Sequence, residues 1–442
     1  MQGSRVAWGG LWGGLLACAL GAASPPSSAA AHAPIPRQVV VSSDASMVAV
    51  DLPGFGLVFR ASPTSPFSYA CSSLFELVPN GDPPALAVRR DGSLLVGSAD
   101  GLRSISARGC PITTDANALS RAPLVRLALQ SSSAASMESQ VGYAVVSGLQ
   151  PGLWRTEDGG RSWISRAVFE GGSRTTALVM RDEHPEQLYM SVNEATGSTL
   201  YVSRDGGASL QAYTQASALT LLHAEGSAPG RLWAIARDAE STGNRGFAIL
   251  RADDPEGPWR AVLRVNYFGG FVVDPRGVIW VGDEIGGIYR SEDGGESFTN
   301  LASEADVACL AYGGSALWAC NPLTPSEPVL QVLADGQAAL QGVVALADVD
   351  RMVECPEVDV ARVCGGAWVE WQRDVLMRPV EDAAGPPDAG TPSASAARAS
   401  AGCAVQREEE RALHGVSAFG LTTLVLVWRH GRRKARRQRR SV

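Results

Sequence analysis

The chain has 442 residues, with eight cysteines and five histidines, and these side chains have the widest chemical reach. Cys18 lies in an apolar N-terminal run and Cys403 near the other end. Cys71, Cys110, Cys309, Cys320, Cys355 and Cys364 remain, an even number with no Cys-x-x-Cys pair and no clustered histidine, which points to disulfides rather than zinc. Cys309 and Cys320 flank Gly313-Gly314-Ser315, and a two-residue turn at Gly314-Ser315 would set them directly opposite on paired strands. Cys355 and Cys364 would close a short loop, which leaves Cys71 and Cys110. His32, His414 and His430 belong to the two ends. His184 stands beside a proline in a turn and His223 in an apolar run, the settings of a surface and a packed histidine. No Gly-x-Ser-x-Gly motif accompanies either. Acidic residues such as Asp274, Asp283 and Glu284 are plentiful, but no spacing selects a pair for acid–base work. The sequence therefore names no catalytic residue, no metal ligand and no cofactor.

The elements that would carry any site come from a repeat. One short apolar segment recurs as Met47-Val-Ala-Val50, Leu94-Leu-Val-Gly97, Gly142-Tyr-Ala-Val145, Leu188-Tyr-Met-Ser191, Leu232-Trp-Ala-Ile235, Ile279-Trp-Val-Gly282 and Leu317-Trp-Ala-Cys320. Its second residue falls at 48, 95, 143, 189, 233, 280 and 318. Each copy sits among further short runs bounded by Gly, Pro, Asp and Asn, which read as strands. Four strands every 40 to 50 residues describe propeller blades, because a lone four-stranded sheet cannot bury both its faces. The expected fold is all-β, a seven-bladed β-propeller over residues 38–347; eight blades result if Trp368-Val-Glu-Trp371 is a further strand. Trp233, Trp280 and Trp318 share one repeat position and are expected in the blade cores.

A sharper motif lies between the third and fourth runs. Its copies are Thr156-Glu-Asp158-Gly-Gly160-Arg-Ser-Trp163, Ser203-Arg-Asp205-Gly-Gly207-Ala-Ser-Leu210 and Ser291-Glu-Asp293-Gly-Gly295-Glu-Ser-Phe298, with a decayed copy at Asp253 to Trp259. They resemble the Asp-box, or BNR repeat, of sialidase-like propellers. Every residue of the motif has a structural use: Asp and Ser oxygens can accept turn N–H groups, Gly supplies positive φ, and the aromatic packs into the blade. The alternating carboxylates of a calcium loop are absent. The resemblance implies the fold; glycosidases among such proteins need paired carboxylates, and sialidases use an arginine triad and a Tyr nucleophile. The Arg-Ile-Pro signature of sialidases is missing, since Pro34-Ile-Pro-Arg37 has the letters in another order.

Both ends read as targeting segments. Arg5, the apolar run Val6 to Ala23 and the small residues after it form a secretory signal over 1–30, with cleavage after Ala23 or near Ala30. Leu15-Leu16-Ala17-Cys18 offers lipidation of Cys18 as the alternative. After a Cys-containing extension at 348–379, residues 380–402 form an Ala/Pro/Ser-rich linker. Cys403, a charged spacer, the apolar stretch Ala412 to Trp428 and eight Arg or Lys from Arg429 to Arg440 complete the chain. Seventeen helical residues rise about 25 Å, enough for a thin span, and the basic run would hold the C-terminus in the cytoplasm. Residues 403–442 resemble the myxobacterial MYXO-CTERM sorting signal, which implies processing at Cys403 and display at the cell surface. Without Arg5 and the basic tail the chain holds 29 basic against 45 acidic residues, a balance of −16, which disfavours nucleic acid as a partner. These features lead to an exported, membrane-anchored propeller that binds a protein or glycan without catalysis. A surface glycoside hydrolase of sialidase-like type is the alternative.

Overall fold

The computed structural model describes residues 34–377 apart from 77–83, 113–117, 132–138, 148–150, 170–173, 195–196, 216, 226–230, 239–245, 303–304, 322–325, 336 and 338. The segments expected to act as export signal (residues 1–30), linker (380–402) and C-terminal anchor with Cys403 (403–442) lie outside the described residues. Among the described residues no helix is long and apolar enough to cross a membrane.

The repeated runs form six four-stranded antiparallel sheets and one three-stranded sheet, each built from strands consecutive in the chain. They make seven blades, at residues 38–71, 85–105, 124–168, 174–215, 219–265, 268–300 and 309–345. The first strand of each blade touches the first strand of the next, and Cys309–Gly313 of blade 7 touches Gln38–Val41 of blade 1, so the ring closes. The fold is an all-β seven-bladed propeller. Second strands form the blade centres; Val48–Leu52, Gly142–Val146, Ile279–Asp283 and Ala316–Cys320 are buried along their whole length. Burial on both faces explains why these runs, apart from Asp51 and Asp283 near their ends, are apolar instead of alternating. Trp233, Trp280 and Trp318 are all buried there.

Blade 2 departs from the four-strand expectation. After Gly101–Ile105 the chain turns and returns only as an isolated bridge between Ile105 and Pro111, with the Ile112 N–H donating to Ser104 O at 2.8 Å. Pro111 lacks an N–H for a longer ladder.

The segment beyond blade 7 corrects two further expectations. Residues 351–353 run parallel to the outer strand of blade 1, Ser68–Cys71: the Tyr69 N–H donates to Arg351 O at 2.8 Å and the Val353 N–H to Tyr69 O at 2.9 Å. Trp368-Val-Glu-Trp371 is helical and adds no eighth blade. Asp359 caps the helix Val360–Glu370 by accepting from the Arg362 N–H, and Val360, Cys364 and Trp371 bury one helical stripe. The disulfides are Cys71–Cys364, Cys110–Cys355 and Cys309–Cys320. The last joins directly paired residues across the Gly314-Ser315 turn, as expected. Cys355 and Cys364 do not pair with each other, because the strap carries them to the outer edges of blades 2 and 1 respectively.

Candidate functional site

Propellers present ligands with an axial channel and two rims, so the ring of first strands is the first place to look. Those strands are Gln38–Val41, Ala85–Val88, Leu124–Leu129, Arg174–Arg181, Leu219–Ala224, Phe268–Val273 and Cys309–Gly313. Their residues are mostly Val, Ala, Leu, Thr, Gly and Phe, and none is Asp or Glu. Arg126 is bound to the wall itself, its Nε donating to Thr176 O of the next blade at 2.7 Å. Arg181 is buried and donates to Gln187 Oε1 at 2.6 Å. The Thr176 and Ser191 hydroxyls lie 2.8 Å apart, and Ser191 Oγ accepts from the Leu221 N–H of blade 5. His223 stands at a register shift in its strand, half-buried near the Phe271 ring, and burial lowers its pKa to about 4. His184 is exposed beside Glu186.

The rim formed by the turns between third and fourth strands carries the repeated Ser/Thr-x-Asp-Gly-Gly turns. In blade 3 the Thr156 hydroxyl donates to Asp158 Oδ1 at 2.7 Å and accepts from the Gly160 N–H at 2.8 Å. Asp158 also accepts from the Arg161 and Ser162 N–H groups and from the Ser162 hydroxyl. Trp163 is buried and donates from Nε1 to Gly160 O. Ser203, Asp205, Gly207 and Ser209 repeat this in blade 4, as do Ser291, Asp293, Gly295 and Ser297 in blade 6. Hydrogen bonds led by the Ser209 hydroxyl hold the Asp205 carboxyl down at about 2. The carboxylate oxygens are thus engaged by their own turn.

The second glycine of each motif lies against the preceding blade. A Cβ on Gly160 would stand 2.5 Å from Leu95, and one on Gly207 would stand 2.6 Å from Leu153; at Gly295 it would strike the Trp233 ring. The first glycine meets a guanidinium from that same blade. Arg89 Nε donates to Gly159 O at 2.6 Å, Arg251 donates to Gly294 O at 2.5 Å, and Arg155 lies against Gly206. Arg89 and Arg251 are buried, and Arg251 also pairs with Glu296. No local motif marks these arginines, which lie 43 or more positions from the turns they hold, at no constant spacing. Such charge-assisted bonds join one blade to the next.

The opposite rim holds two buried carboxylates at one repeat position, with different fates. Asp283 accepts from the Asn266, Tyr267 and Ile285 N–H groups. Asp51 pairs through its backbone with Gln38, and its Oδ2 is buried without a hydrogen-bond partner. Burial raises the Asp51 pKa to about 7 against the opposing pull of Arg37. Glu284, next to Asp283, is also raised, by burial first and then by Asp283 and Asp306. Among the described residues no group of three or more His, Cys, Asp or Glu is placed to hold a metal ion.

No protein-family model matches the chain, and no curated protein matches it. Solved structures similar to it include a GH74 enzyme from Niastella koreensis, at 15% identity over 71% of this chain and 54% of that one, TM-score 0.49. Hydrazine synthase from Kuenenia stuttgartiensis matches at 13% identity over 69% and 96%, TM-score 0.47. The β-propeller domain of Cps50 from Myceliophteria thermophila matches at 15% identity over 66% and 94%, TM-score 0.44. The chain thus spans about half the length of the GH74 enzyme. At these values the likeness concerns fold alone and transfers no activity.

Proposed function

We propose that the chain is an exported, surface-anchored propeller that acts as a non-enzymatic binding or scaffold module for a protein or glycan partner. The observation that carries this reading is the channel wall: seven mostly apolar strands whose polar residues include hydroxyls, Gln38, His223, Arg126, Arg174 and Arg181, with no carboxylate in any of them. Such a wall offers contact area and hydrogen bonds to a ligand, whereas a glycoside hydrolase needs two carboxyl groups flanking its bond about 5 to 10 Å apart. The Asp-box turns support the same reading, because their carboxylates and hydroxyls are occupied within the turn. In this proposal residues 1–30 direct export, Ala412 to Trp428 enters the membrane, and Cys403 is the processing point of a MYXO-CTERM-type signal. The acidic body turns its ligand preference away from nucleic acid.

The test uses the full chain in an export-competent cell. Surface labelling is compared between the full chain and a form lacking residues 403–442, and the exported protein is screened against glycans, envelope proteins and glycoside substrates. Surface retention that needs 403–442, with saturable binding and no turnover, supports the proposal. Glycoside hydrolysis that a single carboxylate substitution abolishes overturns it in favour of the sialidase-like alternative.

A further inference from the structure

Seven blades built wholly from consecutive strands leave a seam. Blade 1 uses residues 38–71 and blade 7 residues 309–345, so no blade contains strands from both chain ends. The strands on either side, Gln38–Val41 and Cys309–Gly313, meet by packing. At the turn beside those strands the Gly314 N–H of blade 7 donates to Ser43 O of blade 1 at 3.0 Å. A second backbone contact across the seam lies at the outer circumference, where residues 351–353 leave blade 7 and pair with Tyr69 of blade 1.

Everything beyond that ladder fastens the strap down. Trp371 is fully buried, stacks on Tyr69 with ring centroids 4.6 Å apart, meets Phe55 edge-on, and donates from Nε1 to Val349 O. Val353 packs beside Gly109 and Phe59. Cys364 is bonded to Cys71 at the end of the blade 1 outer strand, and Cys355 to Cys110 in blade 2. The strap therefore holds three blades together: it emerges from blade 7, pairs with blade 1 and is stapled to blades 1 and 2. Cys309–Cys320 joins neighbouring strands inside blade 7 and does not cross the seam.

We propose that residues 346–377 form a redox-locked strap that closes the propeller at the blade 7–blade 1 seam. The thiols of Cys71, Cys110, Cys355 and Cys364 lose four electrons and four protons to two disulfide-bearing oxidants, which leave as dithiols; the seam is fixed once both bonds exist. A dithiol reductant reverses the step and emerges as its own cyclic disulfide. The two bonds open in order. Cys71 and Cys364, the latter on the buried face of the helix, are both fully buried, whereas Cys355 is partly exposed, so thiolate attack reaches Cys110–Cys355 first. Between the two events the strap stays docked through Tyr69, Trp371 and Cys71–Cys364.

The test follows hydrogen exchange of the full chain, oxidised and during titration with dithiothreitol, while alkylation and peptide mapping report which disulfide has opened. Cys110–Cys355 opens first with little change at the seam. Loss of Cys71–Cys364 then raises exchange in Gln38–Val41 and Cys309–Gly313 at least tenfold, with the strands of blades 4 and 5 unchanged. Variants check the assignment: C71A/C364A combined with C110A/C355A reproduces the seam effect, and C309A/C320A confines its effect to blade 7. Unchanged seam protection after both strap bonds are reduced overturns the proposal. So does simultaneous loss of protection in all seven blades. If the four-alanine variant does not fold, the titration of the oxidised native protein decides by itself.

Discussion

Asp51 offers the sharpest quantitative test of the structural reasoning. Its carboxyl is 3% exposed, its Oδ2 has no hydrogen-bond partner, and its pKa is raised from 3.8 to about 7 by burial. A carboxyl with a raised folded-state pKa binds its proton more tightly when folded, so its stabilising contribution is complete below pH 3.8. That contribution is lost as pH climbs through the window from about 4 to 7 and is constant above it. A shift of about three units at 1.36 kcal/mol each sets the ceiling of that loss at about 4 kcal/mol. Asp51→Asn keeps the shape of the neutral acid and removes the titration. The variant should match the wild type at pH 4 and exceed it at pH 8 by up to about 4 kcal/mol, a rise of the order of 10 °C in unfolding midpoint. The assay is thermal unfolding of both proteins by circular dichroism from pH 4 to 8, read as the difference between them so that other titrating groups cancel. A variant no more stable than wild type at pH 8, or an advantage of equal size at pH 4, would refute the account of an orphaned carboxyl.

His223 should behave with the opposite sign. Its pKa is lowered from 6.5 to about 4, so its contribution is complete above pH 6.5 and is lost as pH falls through that window. His223→Leu should therefore resist acid better than wild type by about 2 kcal/mol at pH 4, allowing for the ring's partial exposure, and match it at pH 8 in urea titrations. Asp158→Ala strips acceptors from two N–H groups and two hydroxyls of its turn, and equilibrium denaturation should show a loss of about 1 to 3 kcal/mol, with Asp158→Asn losing less. Gly295→Ala drives a methyl group into the Trp233 ring at a backbone φ of +81°. It should cost about 2 kcal/mol or more and change Trp fluorescence in the native state; an unperturbed spectrum and midpoint would count against the blade 5–blade 6 packing described here.

The sequence by itself was enough for the ring and its turns, and each success traces to a local cause. Seven copies of one apolar run at near-constant spacing announce blades because a strand buried on both faces is apolar along nearly its whole length, as Gly142–Val146 and Leu232–Ile235 are. Gly314-Ser315 announced a two-residue turn, and that turn placed Cys309 opposite Cys320. The positive φ of Gly160, +86°, and the hydroxyl–carboxylate pair before it are likewise contained within eight residues. The tertiary structure alone decided what depends on distant neighbours. Cys71 and Cys364 are 293 positions apart, and their pairing follows from where the strap lies, which no spacing encodes. Trp368-Val-Glu-Trp371 has aromatic and branched residues suited to a strand, yet the Asp359 cap and the buried faces of Tyr69 and Phe55 made it helical. Asp51 and Asp283 occupy one repeat position, and only the N–H groups brought against them separate an orphaned acid from a satisfied one. Turn chemistry and burial pattern are carried by adjacent residues, while pairing, closure and titration belong to side chains that meet only when the ring is shut.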